Sequence, residues 1–472
     1  MSARARARAR AGDQAGRGAS LLVAALASSF GVVLVQITNV LATVISGGDL
    51  SLVPDVRTAL SIVAVLFITI AVYVSAIVTT NTVATIIAGR TRTIALMRLI
   101  GSSAADQRRA LSREGLRVGA IGAVIGAVIG TALMRVGLII AVGAGALPDF
   151  SYQLLEPLLV LPVAAVVLST WCAAWVGSRR VLTVSPMQAV GAAEERTLEE
   201  AAKRPVRNVL AVALIVVGVL FLAGGVAVGQ VEQAGVLLGL VGGLMSFSGL
   251  VLGSHLILPP LLRMVGRALG NRAPARLAAA NAQEHPERSS RSTLSLVIGV
   301  TLITMFAVAG ATFEQILAPS MEDAAARAVL GELLAIVLGV MSVLVGFSAV
   351  IAAVGMINNL ALSVLQRSRE IGLLRALGFT GGQVRAMILA ESLQMSVASV
   401  GLGLALGIFY GWAAAQSMFG FVIAGGGLVA PAVPWLLVLL CLVGAVVLAV
   451  GATILPARRA VSVSPVTALA AA

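Results

Sequence analysis

The feature that most constrains this chain is a succession of apolar runs, each long enough to cross a bilayer. Short segments carrying nearly all of its arginines separate them. About 20 apolar residues span the hydrocarbon. By that measure helices are expected near 19–45, 58–88, 116–144, 157–177, 208–229, 233–258, 292–317, 329–360, 388–416 and 433–455. In lipid every backbone amide needs an internal partner, which an α-helix supplies. Composition agrees: 11% of residues are charged, against about a quarter in soluble domains. The expected fold class is an all-α polytopic membrane protein with about ten transmembrane helices.

Charge orients these spans. Segments 1–18, 89–115, 178–207, 261–291, 361–387 and 456–472 hold most of the arginines. The alternate loops hold Asp49, Asp55, Asp149, Glu156, Glu232, Glu322 and Asp323. The positive-inside rule therefore predicts that both termini face the cytoplasm of a bacterial cell, with the chain multi-pass in its cytoplasmic (inner) membrane. The same distribution makes the net charge of +13 a matter of topology, and no nucleic-acid partner is expected. Arg4, Arg6, Arg8 and Arg10 form a basic N-terminal tail, 1–18, read as lying near anionic lipid headgroups. Cys172 and Cys441 fall inside apolar runs, and with only His255 and His285 a metal centre is not expected.

The chain repeats itself. Arg90–Gly101 (RTRTIALMRLIG) aligns with Arg367–Gly378 (RSREIGLLRALG) at a constant offset, which carries on to Glu114 opposite Glu391. A second pair of matching segments, RRVLTVSP from Arg179 and RRAVSVSP from Arg458, closes each copy. The third and ninth runs share glycines at four-residue spacing: Gly122, Gly126 and Gly130 in one, Gly403, Gly407 and Gly411 in the other. Small residues at that spacing are read as helix-packing positions. The domain reading is a first four-helix repeat over 19–190, a cytoplasmic linker over 191–207, two linking transmembrane helices over 208–258 and a second four-helix repeat over 259–472. The two repeats run parallel through the bilayer.

Function is concentrated in 366–393. Arg367, Arg369 and Glu370 mark the exit of the eighth run. Ile371, Leu374 and Leu377 then recur at helical spacing, and Gly378 stands where a C-cap glycine would. A polar turn (Thr380, Gly381, Gly382, Gln383) leads back into an apolar helix. The geometry expected is a short helix at the membrane surface between two spans.

The segment RSREIGLLRALGFTGGQVRAMILAES resembles the coupling segment of the FtsX-like permeases, membrane subunits of ABC systems that include the MacB, LolC/LolE and Bce types. PARRAVSVSPVTALAA is similar to that family's closing motif, and AAANAQEHPERSSRSTLSLVIGVTLI resembles its entry into a repeat. The resemblance covers about 57–190 and 276–472, and the fused-repeat, ten-span layout is closest to Bce-type and related antimicrobial-peptide permeases. It implies that each copy docks on a cytoplasmic ABC ATPase subunit, two in all. The ATPase-coupling residues would be Arg369, Glu370, Ile371, Leu374, Arg375, Leu377 and Gly378 in the second copy, and Ile94, Met97, Arg98, Ile100 and Gly101 in the first. Two departures stand out: Thr93 replaces the glutamate found at 370, and the outer loops are too short for the family's extracytoplasmic domains.

No G-x-x-x-x-G-K-[ST] loop occurs, so ATP and Mg are expected in the partner ATPase, with no cofactor bound and no catalytic residue in this chain. The leading expectation is a permease subunit that couples ATP hydrolysis elsewhere to export or extraction of an amphiphilic substrate, such as an antimicrobial peptide, drug or lipid. The alternative is a mechanotransmission subunit that regulates a cell-wall hydrolase or sensor kinase. Of the polar residues within the spans (Asn39, Asn81, Asn358, Asn359, Arg135 and Glu314), Asn81 and Asn358 are read as bonding between helices or capping them, Arg135 as facing an interior cavity or snorkelling and Glu314 as wet, and none as a proton relay.

Overall fold

The computed structural model describes residues 3–47, 102–145, 147–178, 205–268, 276–280, 286–317, 373–423 and 427–436, with isolated positions in 66–80 and 438–447. Every regular element among them is helical. Seven helices among the described residues are long and apolar enough to cross a membrane. The second and eighth apolar runs, and most of the tenth, lie outside the described residues, as do Asn81, Asn358 and Asn359.

The chain divides into two compact units, Met1–Ala193 and Glu194–Ala472, a division that falls within the linker read as 191–207. In the first unit α1 (Ala3–Gly47) packs along α2 (Ala104–Gly143), and α3 (Val160–Gly177) packs against both. The second unit holds α4 (Pro205–Gly229), α5 (Gly235–Leu252), α6 (Ser254–Ala268), α7 (Pro286–Leu317) and α8 (Gly381–Phe419). Its closest helix pairs are α7 with α8 and α4 with α5.

In a membrane two helices gain nothing from hiding apolar surface from lipid, so close backbone approach has to supply the packing energy. Glycines allow it in both units. A Cβ added at Gly122 would come within 2.6 Å of the Ala24 Cβ, and one at Gly130 within 2.9 Å of the Ser29 carbonyl. Gly126 rests on the Ala25 carbonyl. In the second unit a Cβ at Gly403 would meet the Val300 Cβ at 2.7 Å, one at Gly407 the Thr301 carbonyl at 2.8 Å, and one at Gly411 the Met305 carbonyl at 2.5 Å. α4 and α5 form a hairpin on the same principle, with Gly218, Gly225 and Gly242 of the two helices against the opposing backbone.

The extended stretch before α3 is tied down by side chains of α1. Gln36 Nε2 donates to the Leu154 carbonyl (2.9 Å) and the Thr131 hydroxyl (3.1 Å), and Asn39 donates to the Gln153 carbonyl (3.1 Å). Asn39 is thus a brace for backbone that has left the helix. In that stretch burial, and secondarily the Asp149 carboxylate, raises the Tyr152 phenol above its ordinary value. The corresponding stretch of the second unit is held alike: Thr312 accepts from the Ala432 amide at 3.1 Å, and Trp412 and Gln416 both donate to the Val429 carbonyl. Gln416 also accepts from Gln230 at the α4–α5 turn. Ser246 of α5 lies 3.0 Å from the Tyr410 hydroxyl, so the hairpin is fastened to α8 at two levels.

One apolar run is divided. The sixth span, read as 233–258, ends at Leu252, and after Gly253 the separate helix α6 begins at Ser254. Pro259 and Pro260 lie inside α6, and the boundary read at 258/259 falls within it. Its inner face (Leu258, Leu262, Gly266) packs on α7 and α8, where Leu262 joins Leu296, Val300 and Met395. Arg263, Met264 and Arg267 are exposed on the other face. Apolar content alone merges two helices that a glycine turn separates.

Candidate functional site

Of the candidate coupling residues, Leu374, Arg375, Leu377 and Gly378 are described. Arg369, Glu370 and Ile371, and Ile94, Met97, Arg98, Ile100 and Gly101 of the first copy, lie outside the described residues. The site that can be built runs from Leu373 to Ile388.

One helical turn covers 373–376 and closes on Gly378. The Gly378 amide donates to the Arg375 carbonyl (3.1 Å) and the Phe379 amide to the Leu374 carbonyl (3.0 Å). Together with φ of +101° at Gly378 this is a Schellman closure, which asks for a residue without a Cβ at the left-handed position. Three residues later α8 starts. Thr380 is its N-cap, and its hydroxyl accepts from the Gln383 amide while the Gln383 side chain accepts from the Thr380 amide at 2.9 Å. That capping box satisfies two helix-end donors reciprocally. A helix stop and a helix start thus share the residues between Leu377 and Gln383, which fixes the angle between them and makes a stiff elbow.

The elbow is anchored by apolar packing. Leu374 and Phe379 lie against a buried cluster of Val384, Met387 and Ile388, with Leu277 packed on the same cluster. Phe379 and Val384 occupy the positions of a hydrophobic staple. Leu373 and Leu377 point away, at 52% and 74% exposure, and Arg375 is half-buried. In this respect the site differs from the simple amphipathic face that Ile371, Leu374 and Leu377 suggest. The Schellman closure turns Leu374 inward to meet Phe379 and leaves Leu377, the last residue before the glycine, outside. What remains on the surface is a small apolar knob on a rigid mount.

Sequence reading missed the exposed Leu373 and the cap itself. Thr380-x-x-Gln383 is legible as a capping-box signature ahead of an apolar run, but its composition reads equally as a polar turn. The first unit has a counterpart at Ser103, the N-cap of α2, whose hydroxyl accepts from the Asp106 amide at 3.0 Å. Five residues along, Arg108 stacks over the Trp175 ring of α3 at 4.6 Å, joining the start of α2 to the end of α3. Among the described residues no group of His, Cys, Asp or Glu could hold a metal ion. His255 is engaged instead with Asn208, at 2.9 Å.

Comparison with known proteins adds to this geometry. The family described as "FtsX-like permease C-terminal" matches twice, at residues 65–186 and 342–465, together just over half of the chain. An ABC transporter permease from Bacillus subtilis (strain 168), YknZ, described as uncharacterized, is 31% identical over 150 residues, covering 32% of this chain and 35% of that protein. The macrolide export ATP-binding/permease protein MacB of Chlorobaculum tepidum is 39% identical over 80 residues, 15% of this chain and 12% of that one. The matched stretches therefore span about a third or less of these relatives.

Proposed function

The chain belongs to the FtsX-like permease family, and from that premise we propose that it is the membrane subunit of an ABC-type transporter that drives an amphiphilic substrate out of the bilayer. The family is one of ABC permeases that work with an ATPase subunit. In this reading the ATPase is a separate cytoplasmic chain present in two copies, ATP and Mg are bound there, and this chain carries no catalytic residue. Both termini face the cytoplasm of a bacterial inner membrane. The two family matches belong to two parallel four-helix repeats, 19–190 and 259–472, joined through the linker 191–207 and the linking helices of 208–258, ten spans in all.

The observation that carries the proposal is the elbow at 373–380. A helix end and a helix start locked by a Schellman closure and a capping box form a rigid lever at the foot of a 39-residue helix. Packed elements of this kind transmit rigid-body motion. An ATPase that grips Leu373 and Leu377 and closes on its twin would move α8, and α7 packed along it, as one piece. Arg369, Glu370 and Ile371 extend that grip in the sequence, and Ile94, Met97, Arg98, Ile100 and Gly101 supply its counterpart. Broad apolar surfaces on α2, α3 and α4 suit a path along the helix–lipid boundary, which favours extraction of a lipid, drug or antimicrobial peptide from the membrane itself.

Reconstitution tests the proposal. The chain and its ATPase, placed together in proteoliposomes, should hydrolyse ATP faster when amphiphilic peptides or macrolide-like drugs are added, and should deplete a labelled amphiphile from the bilayer. ATP turnover that ignores every amphiphile but responds to an extracytoplasmic partner would favour the mechanotransmission role and count against export.

A further inference from the structure

Within each copy the third helix takes its own register against the first, and the glycine seams measure the difference between the two registers. Each seam pairs the first helix of a copy with its third. Gly122 meets Ala24 and the Ala25 amide, Gly126 meets the Ala25 carbonyl and Ser28, and Gly130 meets the Ser29 carbonyl. In the second copy Gly403 meets Val300 and the Thr301 amide, Gly407 meets the Thr301 carbonyl and Thr304, and Gly411 meets the Met305 carbonyl. Each of these α1 partners corresponds to an α7 partner 276 positions later. The apolar windows of the two first helices, Ser20–Val40 and Leu296–Ile316, are offset by the same 276. Measured on the first helix, the two seams coincide.

Measured on the third helix, they do not. Gly122 lies 19 residues after the N-cap Ser103, whereas Gly403 lies 23 residues after the N-cap Thr380. α2 and α8 have nearly the same length, 40 and 39 residues, so α8 is slid and not extended. Four residues at 1.5 Å rise amount to about 6 Å, one helical turn. The slide carries Thr380, and the elbow fixed to it, further past the end of its own first span than Ser103 stands past its own. At its other end α8 is gripped by the α4–α5 hairpin, through Tyr410, Gln416 and Ser417, an attachment at the level where it has drawn back.

We infer that the permease engages its two ATPase subunits unequally, the elbow at 373–380, which reaches further past its own first span, being the leading contact and the start of α2 a lesser one. This rests on the ATPase-docking reading above; the one-turn slide itself does not. The sequence asymmetry points the same way, since Glu370 of the second copy is replaced by Thr93 in the first.

Two experiments separate the layers. In a background with Cys172→Ser and Cys441→Ser, disulfide trapping should link Ala24→Cys to Gly122→Cys and Val300→Cys to Gly403→Cys. Preferential linking of Ala24→Cys to Gly126→Cys would put both copies in one register, since Gly126 and Gly403 lie equally far from their caps, and would overturn the slide. On the assembled complex, Leu377→Asp should lower ATPase retention about tenfold, and Ile100→Asp, at the matching position of the first copy, no more than about twofold. Equal losses overturn unequal engagement whatever the disulfides report. A wild-type chain that retains no ATPase overturns the docking reading and unequal engagement with it, and leaves the register to be judged on the disulfides alone.

Discussion

The Phe379 amide donates to the Leu374 carbonyl at 3.0 Å across Gly378, whose φ is +101°. That one bond turns a short surface helix into a mount for α8, because it brings the Leu374 and Phe379 side chains onto the same cluster. Gly378→Ala should destabilise the elbow by about 1–2 kcal/mol, the penalty of a left-handed L-residue. Gly378→Asn, better tolerated in that conformation, should lose less. Thermal unfolding of the purified chain in detergent reads both, with the midpoints ordered wild type, Asn, Ala.

Leu374 and Leu377 should separate structure from contact. Leu374→Ala removes half-buried packing and should lower stability by about 1–2 kcal/mol, below the range for a fully buried leucine. Leu377→Ala should leave the unfolding midpoint unchanged, since the side chain is 74% exposed, yet weaken partner binding. Unfolding and ATPase retention measured on the same preparations give the two readouts.

The seams discriminate between neighbouring glycines. Nothing lies within 4 Å of a Cβ built on Gly401, whereas one on Gly403 strikes Val300. Gly401→Ala should be neutral or gain up to about 1 kcal/mol from helix propensity. Gly403→Leu and Gly126→Leu should force α7 from α8 and α1 from α2, and yields of folded protein after detergent extraction should fall steeply.

Gln36 ties α1 to the stretch before α3 through two hydrogen bonds. Gln36→Leu should cost about 1–3 kcal/mol, two neutral bonds at roughly 0.5–1.5 each. Limited proteolysis in the 147–156 stretch should quicken in the variant and not in the wild type.

How much of this was legible beforehand depends on whether the determinant is local. Long apolar runs announce membrane helices because lipid permits little else, and Gly378 announces a helix stop because of its conformational freedom. The glycine spacing marked packing faces in α2 and α8, but not what they touch. The break at Gly253 was hidden, since the dip at Gly253, Ser254 and His255 is too short to interrupt a long apolar run, and the prolines that mark α6 lie further on. The inward turn of Leu374 follows from a closure completed by Phe379, outside the periodic pattern that grouped Leu374 with Leu377. The one-turn slide of α8 could not be read at all, because register exists only between two helices and needs the partner surface of α7.

The most direct test is affinity purification of the tagged chain in mild detergent from cells that also make its ATPase, comparing wild type with Leu377→Asp. The account predicts that the ATPase copurifies with wild type and that the variant, folded and with an unchanged unfolding midpoint, retains about tenfold less. An ATPase held equally well by the variant, or none held by wild type across several detergents, would contradict it.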